Sequence, residues 1–329
     1  MPRFRDQAIC VRHIDWSETS QIVALLTEQH GVVRGVAKGA KRLSPSSVAR
    51  YSGGIELLTM GQACGVIKST ADLANLTEWD LQQPWWPLRG HLRCQHLAMY
   101  GADLAGALVA ELDRNPEAFA ALRTLLSSLS DHAANHSRPT TADRPSRHIT
   151  GNRSDRRTDR QVDPHADRHI EPERQTFDYQ CRLLHACGHT PELDRDVHAN
   201  KPIGRLRTYY FDPCAGGVTA SLPEGAREDV DVWRVRQATI DMLRSKLNSI
   251  THEAIDEFDT DADADGATAN IETRSATSPT GSPKTPPTTD APQAIDDIKA
   301  ITRANQLLCV YARWILDRDL PSTRVILKP

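Results

Sequence analysis

The stretch GVVRGVAKGAKRLSPSSVAR, Gly31 to Arg50, carries five basic residues (Arg34, Lys38, Lys41, Arg42 and Arg50) and neither Asp nor Glu. Its first half alternates as a strand does: Val32, Arg34, Val36 and Lys38 fall on one face, Val33, Gly35, Ala37 and Gly39 on the other. The second face is nearly bare of side chains, which suits a strand where a small barrel closes tightly or another backbone comes near. Beyond it three cations lie between Lys38 and Arg42, and Ser44, Ser46 and Ser47 add hydroxyl donors suited to phosphate oxygens. Two readings stay open: a solvated basic loop, or the cationic edge of a barrel that holds a nucleic-acid backbone. Tyr51 and Trp16 are the nearest aromatics, so on the second reading contact is with the backbone rather than with base edges.

Outward from this stretch the first 80 residues read as strands. AICVRHI alternates, SQIVALLTEQHG is a short apolar run ending in a turn, VVRGVAKG alternates again, and IELLTM and CGVIKST follow, with Gly53-Gly54 and Gly61 as punctuation. Five short strands suit a small closed barrel. The rest of the folded chain reads as helices. Asn115-Pro116-Glu117 supplies a cap, a first-turn proline and a first-turn acid, and Phe119, Leu122, Leu125, Leu126 and Leu129 repeat at helical spacing. A second helix carries Phe177, Cys181, Leu184 and Cys187 and stops at Gly188; a third covers about 230–247; a fourth is IKAITRANQLLCVYARWIL, ending before Pro321. The expected class is α+β, barrel first and helical body second.

Only 39% of the 329 residues are hydrophobic, low for one globule of this length, and two segments account for the dilution. Residues 131–176 mix charges of both signs with Pro, His and Ser; residues 251–292 are acidic, then rich in Ser, Thr and Pro. Both are expected to be disordered insertions, because neither can bury enough to offset the entropy of ordering. The division is then a barrel at 1–80, a helical domain at 81–130, 177–250 and 293–329, and insertions at 131–176 and 251–292. Within the second insertion Asp261, Asp263, Asp265, Gly266 and Glu272 fall in the register of a calcium loop, but no second helix can follow, and a chance match in an acidic run is the favoured reading.

Seven scattered cysteines, none in a C-x-x-C pair, read as reduced thiols, and no 18-residue apolar window suggests a membrane span; the expected compartment is the cytoplasm. The net charge of -3 names no partner by itself. Catalytic motifs are missing. GQACGVIKST (Gly61–Thr70) departs from a phosphate-binding loop because Val66 and Ile67 separate the glycine from the lysine. The chain is not expected to be an enzyme.

The run DWSETSQIVALLTEQHGVVRGVAKGAKR (Asp15–Arg42) closely resembles the N-terminal signature of the RecO family. FDYQCRLLHACGHTPELDR (Phe177–Arg195), YYFDPCAGGV (Tyr209–Val218) and ILDRDLPSTRVIL (Ile315–Leu327) resemble further segments of it. The resemblance implies an N-terminal OB-fold and a helical domain carrying a small zinc-ribbon-like module. It implies a DNA repair and recombination mediator without enzymatic activity. Such a protein binds single- and double-stranded DNA, anneals complementary strands, and with RecR helps replace single-strand-binding protein (SSB) by the recombinase RecA. By position, Arg34, Lys38, Lys41, Arg42 and Arg50 would form the DNA-binding edge.

Many members of that family place four cysteines, as two C-x-x-C pairs, where this chain has Asp196, Ala199, Ala220 and Pro223. The module is therefore degenerate and no zinc or other cofactor is expected. Cys187, His189, His198 and Cys214 have suitable atoms but lack closely paired spacing. The SSB C-terminal tail would need an apolar groove rimmed by cations, for which Leu307, Tyr311, Trp314 and Ile315, with Arg313, Arg318 and Arg324, are candidates; ordinary helix core is the other reading. The rival function is a protein-interaction adaptor whose barrel binds DNA weakly or not at all.

Overall fold

In the computed structural model, residues 3–67, 72–136, 166–228, 231–264 and 291–327 are described. Near-alternation of buried and exposed positions produces β1 (Arg3–Asp15), β2 (Gln21–Thr27), β3 (Gly31–Ala37), β4 (Met60–Val66) and β5 (Ala74–Gln83). They pair in the order β1-β2-β3-β5-β4, and β4 returns to β1 to close a barrel. Pairing is antiparallel except between β3 and β5, which run parallel from Gly35↔Ala74 to Ala37↔Leu76. The bare face of β3 is where this parallel pair meets: a Cβ on Gly35 would lie 2.9 Å from Leu76 Cγ and 3.2 Å from the Ala74 carbonyl oxygen. Phe4, Leu25, Val33, Leu76 and Trp79 fill the interior.

Three local expectations change. IELLTM does not form a strand of its own, since β4 starts only at Met60, and part of CGVIKST belongs to β4. The fifth strand is ANLTEWDLQQ, whose inward residues Leu76 and Trp79 are three apart because a bulge interrupts the pairing at Cys64/Gly65. That irregularity breaks the period of two on which strand reading depends. The basic stretch also turns helical, as α1 (Pro45–Tyr51), and Tyr51 inserts into the barrel with its hydroxyl donating to the Leu76 carbonyl at 2.9 Å.

The helical body contains α2 (Leu92–Leu108), α3 (Pro116–His136), α4 (Ala166–Ala186), α5 (Gln237–Ala264) and α6 (Ala291–Leu316), and a final short α7 (Arg324–Leu327). Asn115 caps α3, its side-chain oxygen accepting from Ala118 N at 2.9 Å, and the five apolar residues expected inside that helix are buried. The helix that carries Phe177 ends at Ala186, and Gly188, at φ +73, turns the chain just beyond it. A three-stranded sheet, β6 (Thr208–Asp212), β7 (Gly217–Thr219) and β8 (Trp233–Arg236) in the order β7-β6-β8, packs on α4, α5 and α6. The third helix therefore begins at Gln237 rather than near residue 230, because Trp233–Arg236 pairs with β6.

Both expected insertions are narrower than their composition suggests. Helix α3 continues to His136 and α4 begins at Ala166, with Ile170 and Thr176 buried. Helix α5 continues to Ala264 and α6 begins at Ala291, so Asp261 and Asp263 of the calcium-loop run are helical. The central parts, 137–165 and 265–290, lie outside the described residues, as do the rest of the calcium-loop run and Lys68.

A buried polar chain sets the helices in register. Tyr100 on α2 donates to Gln180 on α4 at 2.9 Å, Gln180 donates to Asn305 on α6 at 2.5 Å, and Asn305 donates to the Glu173 carbonyl at 2.9 Å. Barrel and body share one core, in which Ile9, Val11, Leu26 and Val32 meet Leu97, Leu104 and Leu122. At this junction the α2–α3 link lies against the start of β3, with Val32 N donating to the Ala110 carbonyl at 3.2 Å and Leu112 N to the Val32 carbonyl at 3.1 Å. Gly31, at φ +61, makes the approach possible: a Cβ there would fall 2.0 Å from the Asp113 carbonyl oxygen. Gly31→Ala should cost about 2 kcal/mol or more, since the left-handed conformation alone costs roughly 1–2 kcal/mol for a side-chain-bearing residue. Urea unfolding should show a lowered midpoint; a midpoint unchanged from wild type would mean that the link is not held against β3.

Candidate nucleic-acid interface

Two loops meet at one edge of the barrel. The turn after β1 is organised by Ser17, whose hydroxyl accepts from Ser20 N at 3.1 Å, while Trp16 N donates to the Ser20 carbonyl at 3.0 Å. The loop after β3 is stitched to it, Lys41 N donating to the Thr19 carbonyl at 3.1 Å and Gly39 N to Ser20 Oγ at 3.3 Å. Gly39 has φ +74, and its carbonyl accepts from the Ser47 hydroxyl. The result sets the exposed indole of Trp16, 67% accessible, beside the loop that bears Lys38, Lys41 and Arg42. Aromatic faces next to backbone-tracking cations are what single-stranded nucleic acid binds.

The five basic residues are not equivalent. Arg34, on the strand, pairs with Glu111 of the α2–α3 link at 2.9 Å and faces the junction with the helical body. Lys41 pairs with Asp15 at 2.9 Å, and with His13, Gln21 and Arg89 it lines a cleft of about 440 Å³ between barrel and body. Arg50 donates to the Ser46 carbonyl at 3.3 Å and lies 5.8 Å from the centre of the Tyr51 ring. Lys38 and Arg42 are exposed and make no ion pair with another described residue. The block that looks uncompensated in the sequence is thus partly neutralised in space, by Glu111 and Asp15. Both pairs are exposed, and such pairs are worth about 0–1 kcal/mol, so a phosphate can displace either carboxylate.

Two hydroxyl and aromatic candidates are otherwise engaged. Ser47 is buried and holds the Gly39 carbonyl, and Tyr51 belongs to the barrel core. Ser44 and Ser46 remain exposed. Trp16 is the residue whose role the sequence undervalued: its exposure follows from the turn, not from its neighbours in the chain.

The module around β6 and β7 is held by a carboxylate. Asp196, 8% accessible, accepts from His198 N at 3.0 Å and Ala199 N at 2.9 Å through one oxygen. Through the other it accepts from Ala220 N at 2.8 Å and the Thr219 hydroxyl at 3.0 Å. Burial alone would raise its pKa, but these donors outweigh it and hold the carboxyl below its ordinary value. Asp196, Ala199 and Ala220, at three of the positions where the family resemblance would place paired cysteines, are thus joined by hydrogen bonds. Of the substitute set, His198 bonds Asp212 at 2.9 Å, and Cys214 is exposed. All seven cysteines are free, and burial pushes the Cys10 thiol up to about 12.

On α6, Leu307 and Tyr311 are core and Ile315 packs partly against them, whereas Trp314 is 46% exposed. Trp314 lines a cleft of about 560 Å³ with Trp233, Val310, Arg313, Arg318 and two aspartates, Asp317 and Asp319. Arg324 is not among its lining residues. Among the described residues no helix is long and apolar enough to cross a membrane.

Residues 1–85 match the family described as Recombination protein O N terminal. A protein of Halalkalibacterium halodurans, named DNA repair protein RecO, is 30% identical over 267 residues, covering 77% of this chain and 88% of that protein. Proteins of the same name from Myxococcus xanthus and Anaeromyxobacter sp. (strain K) are 27% and 31% identical over 129 residues, 39% of this chain in each case. Against those two the chain spans about half the relative's length, 51% and 49%.

The clasp at Asp196 predicts both a stability loss and a pH dependence. Asp196→Ala leaves three backbone N–H groups without their acceptor and should cost on the order of 3 kcal/mol. Because the folded carboxyl titrates below its unfolded value, its contribution is fully present above about pH 4 and is lost as pH falls through the folded value. Amide exchange in the β6–β7 hairpin should therefore accelerate in Asp196→Asn at neutral pH, and in the wild type only in acid. Unchanged hairpin protection in Asp196→Asn would contradict the clasp.

Proposed function

The chain belongs to the RecO family, and from that premise we propose that it is a DNA repair and recombination mediator acting in the cytoplasm. In this reading it binds single- and double-stranded DNA, anneals complementary strands, and with RecR helps load RecA onto SSB-coated DNA. It does so by binding and positioning, without catalysing a reaction. The observation that carries the reading is the stitched pair of loops, which sets exposed Trp16 beside Lys38, Lys41 and Arg42. The strand ring β1-β2-β3-β5-β4, with α1 between β3 and β4, supports assigning the barrel as an OB-fold. In that fold the loop between the first two strands and the face of strands two and three hold oligonucleotides. Trp16 lies in the loop between the first two strands, and Lys38–Arg42 lie in the loop after the third strand, which is bonded to it.

The cleft at Trp314 supports a second contact, with the SSB tail. An acidic peptide with an apolar end would set its apolar residue on Trp314 and its charges on Arg313 and Arg318. Taken without the barrel edge, the same cleft supports the adaptor reading, which differs in requiring no strong DNA affinity.

Binding of fluorescent single-stranded DNA across a salt series separates the two. The wild type should lose affinity steeply with salt. The Lys38→Ala, Lys41→Ala, Arg42→Ala triple variant should weaken binding to all sequences and flatten the log–log slope by about 0.7 per lost contact. Trp16→Ala should weaken binding by about 1–3 kcal/mol with the slope preserved, since stacking releases no counterions. A folded triple variant with unchanged affinity and slope would overturn the interface; weak, salt-insensitive binding by the wild type would favour the adaptor.

A further inference from the structure

We propose that His91, Cys94 and His132 form a binding site for one zinc ion, joining the start of α2 to the end of α3. One ligand atom from each of the three lies within 4.8 Å of the other two, a spacing that a single ion could bridge. The donors are two imidazole nitrogens and one thiolate, a set suited to zinc among the abundant divalent ions and unsuited to magnesium or calcium.

The helices supply the geometry. His91 stands at the N-cap of α2, where its Nδ1 accepts from Cys94 N over a long 3.3 Å, and the three-residue spacing brings the thiol onto the same turn. From α3 the His132 ring meets His91 edge-on, with centroids 5.7 Å apart, and His136 stacks on His132 at 4.0 Å. The sequence thus holds one His-x-x-Cys pair at the site, His91 and Cys94, and closely spaced chelating pairs are the mark of zinc motifs. Such pairing is what the set at Cys187, His189, His198 and Cys214 lacks.

Burial is graded in the sense that entry requires. Cys94 is fully buried in the core, while His91 and His132 are half-buried, so an ion arrives from the solvent side and meets the sulfur last. The fourth tetrahedral position falls to water, since His136, whose Nδ1 lies 2.8 Å from the His132 carbonyl oxygen, is outside the cluster. Close by, Glu173 pairs with Arg93 through one oxygen at 2.7 Å, and its other oxygen is buried with no hydrogen-bond partner among the described residues. That carboxylate places negative charge near the site without joining the ligand set. Coordination requires the thiolate, so the Cys94 proton passes to solvent as the ion enters.

The pattern is hidden in the sequence because Cys94 and His132 are 38 positions apart and His132 falls within 131–176, a segment whose composition suggests disorder. The absence of zinc was expected from the cysteines missing at 196, 199, 220 and 223, which concerns a different part of the body.

The full-length protein, stripped with a chelator and desalted, should be titrated with Co2+ and then Zn2+. One equivalent of Co2+ should produce a near-ultraviolet thiolate-to-cobalt band that Zn2+ abolishes, and Zn2+ should raise the melting temperature. Cys94→Ser should remove the band. His91→Gln and His132→Gln, at half-buried positions, should each weaken Zn2+ binding about tenfold or more. Cys214→Ser should change nothing. No stoichiometric metal, affinity unchanged in His91→Gln and His132→Gln, or loss of binding in Cys214→Ser would each overturn the assignment.

Discussion

The parallel pairing of β3 with β5 at Gly35 is the constraint on which the rest depends. A closed barrel with an odd number of strands must contain a parallel pair, and here it falls where β3 carries almost no side-chain bulk. Ala37, paired with Leu76, is the last residue of that pairing, so the chain leaves the barrel at Lys38 with its direction fixed. The following loop cannot wander, because Gly39 and Lys41 are bonded to the β1–β2 turn and Ser47 holds Gly39 from α1. The same strand docks the helical body through Val32 and Gly31. One segment of seven residues thus enters the barrel's parallel pair, aims the basic loop and anchors the second domain.

Electrostatics then ranks the cations. Charge counting along the chain treats all five as equal, but Glu111 and Asp15 reach two of them from other elements. An exposed carboxylate partner weakens a cation's pull on a distant anion and yields when a phosphate arrives, because exposed pairs contribute so little. Lys38 and Arg42 therefore set the field at the edge, while the charge of Lys41 is partly offset by Asp15. Arg34 lies toward the barrel–body junction, where its pairing with Glu111 favours the docked arrangement.

Much of this was legible beforehand, and the failures share a cause. Helices α3, α4 and α6 were readable because Phe119–Leu129, Phe177–Cys187 and Leu307–Ile315 keep helical spacing over two or more turns. Strand β3 was readable from alternation alone. What escaped depends on contacts remote in the chain. Strand β5 is disguised by a bulge, β8 exists because β6 is beside it, and α1 follows a proline in a run too short for periodicity to show. At the candidate edge the basic loop was evident, but the exposure of Trp16 and the burial of Tyr51 were not, since both depend on how the loops fold back. Asp196 looked like a missing ligand, yet its carboxylate now ties the loop to the strand end by four hydrogen bonds.

The claim that the barrel edge is the DNA-binding surface can be tested most directly by hydrogen exchange of the full-length protein with and without a single-stranded oligonucleotide. The account predicts added protection in the turn 15–21 and the loop 38–44, with the barrel interior unchanged because closure already protects it. Protection confined to the helical body, for instance around Trp233 and residues 313–319, with none at the barrel edge, would contradict it.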